Sequence, residues 1–159
     1  MEDISINTII RTATAADLPQ LNVFLQQLVD AERPFDPTLK QGELFYYDIS
    51  KMIDDSTTEV LVAEVNNQLI GCGYAQLRST KDFQIHDAFG YIGFMFVTPE
   101  YRGQGISNLL LIQLKNWLLN KGVSEIKLEV YYENTAAIRA YEKAGFKKFT
   151  TTMRMQIGD

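Results

Sequence analysis

The feature that most constrains the fold of this 159-residue chain is an apolar strand that leads through a glycine-containing loop into an apolar helix. The pattern predicts a strand over Ala88 to Val97, a tight loop with Gly103 and Gly105, and a helix from Gly105 to Lys121. This helix is apolar over most of its circumference, so it must be buried against a sheet. Its first N–H groups are unpaired and lie at the positive end of the helix dipole, which favours anion binding by the loop.

Residue identity excludes two other phosphate-binding loops. A Walker A loop requires Gly-Lys-Ser/Thr, but Gly105 is followed by Ile106. The dinucleotide-binding pattern Gly-x-Gly-x-x-Gly has Asn108 in place of its third glycine. An ordinary strand–helix turn, in which the glycines provide only tightness, remains open as the alternative.

The remaining pattern predicts a fold of the α+β class. Strands dominate the first part of the chain, and strands alternate with helices in the second. We therefore expect a mixed, mostly antiparallel sheet with helices on both faces. The other predicted elements are a strand over Ile4 to Ala13, a helix that starts at Thr14, a short helix over Phe45 to Ile53, a hairpin of Glu59 to Val65 with Gln68 to Leu77, a strand over Glu125 to Tyr131, a helix over Asn134 to Ala144 and a last strand over Phe149 to Ile157.

Composition narrows the class of protein. Twenty acidic and fifteen basic residues give a net charge of −5, which argues against nucleic-acid binding. Cys72 and His86 are the only residues of their types, so we expect neither a disulfide nor a Cys/His metal site. The sequence has no apolar run long enough for a membrane span and no signal peptide, so we expect a single cytoplasmic domain over residues 1–159.

The region from Asp30 to Glu59 carries eight acidic and three basic residues. Such a run is usually a solvated surface. The functional alternative is an acidic rim that attracts an amine or a cationic peptide.

Two sequence blocks together resemble the GNAT family of N-acetyltransferases. The first is Arg102-x-x-Gly105-x-Ser107 after Val97-x-Pro99, which is similar to the family's acyl-CoA pyrophosphate loop. The second is Leu128-Glu129-Val130-x-x-x-Asn134-x-x-Ala137-x-x-x-Tyr141-x-x-x-Gly145-Phe146. The resemblance covers about Gly90 to Phe149 and implies a GNAT-like fold with acetyl-CoA as cosubstrate.

The resemblance also implies which residues hold the cofactor. The backbone of Met95, Phe96 and Val97 would pair with pantetheine beside a splayed strand, with Gly93 easing a local bulge. Asn134 would bind the pantetheine arm, cap the following helix, or do both. Ser107 departs from the family's usual glycine or alanine but is small enough to fit. The pyrophosphate would lie on the segment formed by Arg102, Gly103, Gln104, Gly105, Ile106, Ser107 and Asn108.

The same resemblance implies the catalytic groups. Tyr141 would be the general acid that protonates the departing CoA thiolate, although its helical spacing also fits a core position. The strand before the loop lacks the glutamate that many family members use as a base, and Glu129 is the substitute. Three alternatives remain open: Glu129 is only a solvated or ion-paired residue, Tyr91 relays the proton through water, or backbone carbonyls do so.

The sequence therefore predicts an enzyme that transfers an acetyl group from acetyl-CoA directly to a primary amine of a small molecule, a peptide or a protein. A catalytically weak acyl-CoA binding module of the same fold is the alternative. The expected partners are acetyl-CoA and the amine acceptor. The resemblance to the GNAT family also suggests a homodimer.

Overall fold

A computed structural model of the chain describes residues 7–159. Its sheet has five strands in sequence order, in which the β4–β5 pair is parallel and the other pairs are antiparallel. The strands are β1 (Ile9–Thr12), β2 (Thr58–Val65), β3 (Gln68–Ser79), β4 (Ala88–Val97) and β5 (Ile126–Lys127). The helices are α1 (Leu18–Glu32), α2 (Ile49–Asp54), α3 (Ile106–Asn120) and α4 (Thr135–Lys143). The predicted mixed, mostly antiparallel sheet with flanking helices is confirmed.

Two compact units make up the described chain, one ending at Glu129 and the other formed by Val130–Asp159. The first unit contains the whole sheet. The second contains α4 and the segment that follows it.

Helix α1 covers one face of the sheet because its apolar residues recur at helical spacing. Leu21, Phe24, Leu25 and Val29 are fully buried on this face. They join a core with Val60, Val62, Cys72, Tyr74, Phe94 and Phe96 of the strands. The chain enters α1 through a capping box, in which the Thr14 N–H donates to the Asp17 carboxylate at 2.8 Å.

Helix α3 lies against the other face and anchors the loop that precedes it. Ile106, Leu110, Leu114 and Leu118 recur every four residues, and each is essentially inaccessible to solvent. Burying a side chain of this size stabilises the fold by roughly 1.5–3 kcal/mol. A Cβ at Gly90 would lie 2.5 Å from the Leu118 side chain, so glycine lets the helix approach β4 closely.

A β-bulge interrupts β4 near its end. Phe94 and Met95 together lie opposite Gly73, and the register shifts between Cys72 and Tyr74. Phe94 has a φ of +52°, a left-handed conformation that is uncommon for an aromatic residue. The sequence predicted that Gly93 would ease this bulge, but the left-handed residue is Phe94.

The hairpin and the glycine-loop helix form nearly as predicted. Asn66 and Asn67 both have positive φ, as a two-residue hairpin turn requires. The short helix begins only at Ile49, because the Asp48 carboxylate caps it by accepting from the Lys51 N–H at 3.2 Å. Residues 4–6 of the first predicted strand lie outside the described residues, and the strand over Glu125 to Tyr131 is reduced to two residues.

The last predicted strand, Phe149 to Ile157, is wrong. This segment has no regular secondary structure, and its alternating apolar residues Phe149, Met153, Met155 and Ile157 are about 80–90 % exposed. Apolar residues at every second position are typical of a strand with one buried face. A strand also needs a neighbouring strand to which its backbone can hydrogen-bond. No such partner pairs with this segment in residues 7–159.

Candidate active site

The loop between β4 and α3 is shaped by two glycines in the left-handed region. Gly103 has a φ of +75° and Gly105 a φ of +83°. No heavy atom lies within 4 Å of where a Cβ would be at either position. Glycine is therefore required here by backbone conformation. The space beside the loop is open to an approaching ligand.

Six consecutive backbone N–H groups in this loop have no acceptor within the described residues. They belong to residues 103–108, and the first N–H of α3 to make an intrahelical bond is that of Leu109, which donates to the Gly105 carbonyl at 3.1 Å. Ile106 is buried and fixes the start of the helix, whereas Ser107 and Asn108 are exposed. Unpaired donors at a helix start form an anion site, so the loop fits a pyrophosphate.

Arg102 holds the entrance to the loop. Its Nε donates to the Val97 carbonyl at 2.9 Å, and its guanidinium lies 5.8 Å from the centre of the Phe96 ring. The Gln104 side chain donates to the Glu100 carbonyl at 3.0 Å. These contacts fix the loop backbone and leave a positive charge beside the unpaired amides.

The backbone of β4 is open on one side where the sequence predicted a splay. Among the described residues, β4 pairs with β5 only at Gly90 and Tyr91. On its other side β4 pairs with β3 as far as Val97. The edge from the bulge to Val97 is therefore available to another extended chain. This edge contains the predicted pantetheine contacts Met95, Phe96 and Val97.

Three tyrosine rings cluster on the α1 face of the sheet, next to the bulge. The Tyr47 ring centre lies 5.3 Å from that of Tyr74 and 5.5 Å from that of Phe94. The Tyr74 ring lies 6.3 Å from that of Tyr91. A Cβ at Gly93 would lie 2.6 Å from the Tyr74 ring, so glycine at this position makes room for the cluster. We refer to Tyr47, Tyr74 and Tyr91 as the tyrosine cluster.

Burial is the main cause that raises the pKa of each tyrosine in the cluster, which for Tyr74 is about 12. Negative charge adds to the effect. The Glu129 carboxylate raises the pKa of Tyr74 and of Tyr91, and the Glu32 carboxylate raises the pKa of Tyr47 and of Tyr91. All three hydroxyls therefore stay protonated at neutral pH, with two carboxylates nearby.

The predicted site residues fall in both units. The loop residues, the β4 backbone and Glu129 belong to the first unit, and Glu129 is exposed and close to Tyr91. Asn134 and Tyr141 belong to the second. The Asn134 side chain accepts from the Ala137 N–H at 3.3 Å, so its predicted capping role is confirmed. Tyr141 is half-buried on α4, and its ring lies 5.8 Å from that of Phe146 in an edge-on contact.

The sequence did not predict that Glu32, Tyr47 and Tyr74 come close to one another or to the bulge. They lie at the end of α1, before α2 and in β3, so no local motif joins them. The available signal was the alternation in β3 and β4, which places Tyr74 and Tyr91 on the same sheet face.

Two negative findings concern the described residues. No helix within residues 7–159 combines the length and hydrophobicity needed to cross a bilayer. The same residues contain no group of three or more His, Cys, Asp or Glu side chains arranged to hold a metal ion.

The sequence matches known acetyltransferases over most of its length. Residues 25–146 match the model of the acetyltransferase (GNAT) family. An acetyltransferase of Yersinia pestis is 30 % identical over 132 residues, which cover 82 % of each chain.

Solved structures share the fold. A mutant of the BH1408 protein of Bacillus halodurans has a TM-score of 0.84 at 21 % identity, over 94 % of this chain and 99 % of that one. A predicted acetyltransferase of Clostridium acetobutylicum, solved with acetyl-CoA, has a TM-score of 0.70 at 20 % identity, over 94 % and 96 %. The aminoglycoside N-acetyltransferase AAC(6')-Iy, solved with CoA, has a TM-score of 0.73 at 18 % identity, over 95 % and 100 %. From the family match and the Yersinia relative together, we conclude that this chain belongs to the GNAT family of acetyltransferases.

Proposed function

We propose that this protein transfers an acetyl group from acetyl-CoA directly to a primary amine of a small molecule, a peptide or a protein. The observation that carries the proposal is the run of six unpaired N–H groups over residues 103–108, at the start of a rigidly buried helix. Such a run fits the pyrophosphate of a CoA thioester. The fold is shared with one structure that holds acetyl-CoA and with an aminoglycoside N-acetyltransferase that holds CoA, which supports this choice of donor and acceptor.

Acetyl-CoA supplies an acetyl group activated as a thioester. In the proposal, the open edge of β4 at Met95, Phe96 and Val97 binds the pantetheine arm, and an N–H of this edge donates to the thioester oxygen. A donor at that position stabilises negative charge that develops on the oxygen. Asn134 retains its side-chain N–H groups for the pantetheine arm while its oxygen caps α4.

Proton transfer requires two further groups. An alkylamine has a pKa of about 10.4 and reaches the enzyme as an ammonium ion, which must lose a proton before the nitrogen can attack. We propose that Tyr141 gives a proton to the departing thiolate, as the family resemblance implies. For the base, the sequence favours Glu129, which lies close to Tyr91.

The attack is direct in this proposal because Cys72 is unsuited to carry the acetyl group. Cys72 is fully buried, its Sγ lies 3.5 Å from the Phe94 carbonyl oxygen, and burial raises its pKa far above the usual range. A thiol in this state is a poor nucleophile. We further propose that residues 1–159 act as a single N-acetyltransferase domain.

One observation favours a second candidate function. Strand β4 has no carboxylate that could act as a base, which is the expected state of an acyl-CoA binding module with little turnover. An assay of thiol release from acetyl-CoA, run with a panel of primary amines and paired with calorimetric acetyl-CoA binding, separates the two. Thiol release with at least one amine supports the transferase. Tight acetyl-CoA binding without thiol release from any amine would support the module.

A further inference from the structure

The sequence favours Glu129 as the group that accepts the ammonium proton, but Glu129 is exposed, and β4 itself lacks a carboxylate, so a second candidate base has to come from elsewhere in the structure. The acidic segment from Asp30 to Glu59 is the natural place to search. Most of its acids already have structural partners. Asp30 pairs with Arg33, Asp36 binds Thr38, Asp48 caps α2, Asp55 binds Thr57 and Thr58, and Glu59 accepts from Thr12.

Glu32 differs from these acids. It is the last residue of α1, it is half-buried, and no Lys or Arg in residues 7–159 pairs with it. Burial alone raises its pKa to about 6. A carboxylate of this kind is ionised at neutral pH and accepts a proton more readily than an exposed one.

The surroundings of Glu32 suit a cation. Its charge acts on Tyr47 and Tyr91, and the Glu129 charge acts on Tyr74 and Tyr91. The faces of tyrosine rings attract cations. The Arg78 guanidinium lies 3.7 Å from the centre of the Tyr91 ring, so the cluster already holds one cation in this way.

The cluster also lies beside the reacting end of the open β4 edge. The Tyr47 hydroxyl is within hydrogen-bonding reach of the backbone of Phe94, the residue at the bulge. The open edge with Met95 begins immediately after Phe94. An amine held by the cluster would therefore lie next to the backbone proposed to bind the thioester.

We propose that the tyrosine cluster, on which both Glu32 and Glu129 act, binds the ammonium group of the acceptor, and that Glu32 accepts its proton. This inference rests on the proposed acetyl transfer. One ammonium proton passes to Glu32, the neutral nitrogen forms a bond to the acetyl carbon, and the carbon–sulfur bond breaks. The second proton lost by the nitrogen balances the CoA thiol that forms, and Glu32 returns its proton to solvent.

The pH dependence follows from the groups around Glu32. Tyr47 and Tyr91 face it, and Arg78 and Glu129 face the same cluster. The tyrosines have pKa values raised above 10 and stay neutral near pH 6. We therefore expect kcat/KM to fall as pH drops through about 6, because Glu32 becomes protonated there.

The test measures thiol release from saturating acetyl-CoA between pH 5 and 9. The acceptor is 2-phenylethylamine, or the most active amine of a panel that includes spermidine and a lysine peptide. Wild type is compared with Glu32→Gln, with Glu129→Gln and with the exposed control Glu43→Gln. Acetyl-CoA affinity and the melting temperature are measured for each variant, so that loss of fold or of donor binding is recognised.

We expect Glu32→Gln to lower kcat/KM by about 10²–10⁴-fold at pH 8 and to abolish the acid limb near pH 6, with acetyl-CoA affinity retained. Glu129→Gln should weaken amine binding but keep that limb, and Glu43→Gln should match wild type. A folded Glu32→Gln protein with the wild-type limb and a kcat/KM within about threefold of wild type would overturn the inference and leave the proposed function standing. Absence of thiol release by wild type with every amine would overturn both.

Discussion

The β4–α3 loop and the tyrosine cluster are the two proposed binding surfaces, and they are built by opposite means. The loop offers backbone N–H groups from six consecutive residues, fixed by Gly103, Gly105 and the start of α3. The cluster offers side chains from three separate parts of the first unit. A backbone surface tolerates most side chains and recognises a constant ligand group. A side-chain surface changes its chemistry with every substitution.

The largest expected effect is a loss of acetyl-CoA binding by the β4–α3 loop. Gly105→Glu should abolish acetyl-CoA binding, because it places a bulky negative group where the pyrophosphate would lie. The variant also strains a backbone with a φ of +83°. Isothermal calorimetry with acetyl-CoA measures the loss.

Gly122→Glu is the matched control for that variant. Gly122 follows the other end of α3, has a φ of +82°, and has the same empty space around its missing Cβ. It should carry the same backbone strain and retain acetyl-CoA binding. Equal loss in both variants would show that strain, and not blocking of the anion site, explains the effect.

The next effect concerns the proposed acid on α4. Tyr141→Phe should lower kcat by about 10²–10⁴-fold and leave acetyl-CoA affinity nearly intact, because only the proton donor is removed. Steady-state thiol release and calorimetry measure the two quantities. Tyr132→Phe, at an exposed position of the same unit, is the control. Unchanged turnover in Tyr141→Phe would remove Tyr141 from the mechanism.

A smaller effect, on the KM for the amine, tests whether the tyrosine cluster binds the acceptor. In Gly93→Ala the new methyl group would lie 2.6 Å from the Tyr74 ring and displace the cluster, at a cost of roughly 1–3 kcal/mol in stability. We expect a several-fold higher KM for the amine and an unchanged Kd for acetyl-CoA. Gly90→Ala crowds Leu118 on the opposite face of the same strand and controls for overpacking. The same KM in both variants would contradict an acceptor role for the cluster.

The smallest effect is on stability. The pKa of Glu32 is about 6 in the folded chain against 4.5 as the reference, so the folded state binds the proton more tightly. The stability that this proton gives is complete below pH 4.5 and is lost as pH rises through 6. Glu32→Gln should therefore be more stable than wild type at pH 7.5, by about 1 kcal/mol after allowance for solvent screening, and equal to it near pH 4. Thermal melts at both pH values measure the difference in stability. If Glu32→Gln were less stable than wild type at pH 7.5, burial of the Glu32 carboxylate would not be the cause of its raised pKa.

The difference between the backbone loop and the side-chain cluster also explains how much of the site the sequence could predict. Strand β4, the loop with Gly103 and Gly105, and helix α3 form one continuous segment, and local rules place it almost to the residue. The tyrosine cluster depends on which distant segments meet, and periodicity does not specify that. The sequence placed the bulge near Gly93 but did not predict that the left-handed residue is the buried aromatic Phe94, because sequence rules expect few aromatic residues at positive φ. The last strand failed for the related reason that a strand pattern does not identify its partner.

The central claim is that the amides of residues 103–108 bind the CoA pyrophosphate. A titration of ¹⁵N-labelled protein with CoA, followed by NMR amide shifts, tests it most directly. We predict that these six amides show the largest downfield shifts of the chain and that the shifts disappear in Gly105→Glu. Saturation of the protein with CoA while these amides keep their unliganded positions would contradict the account.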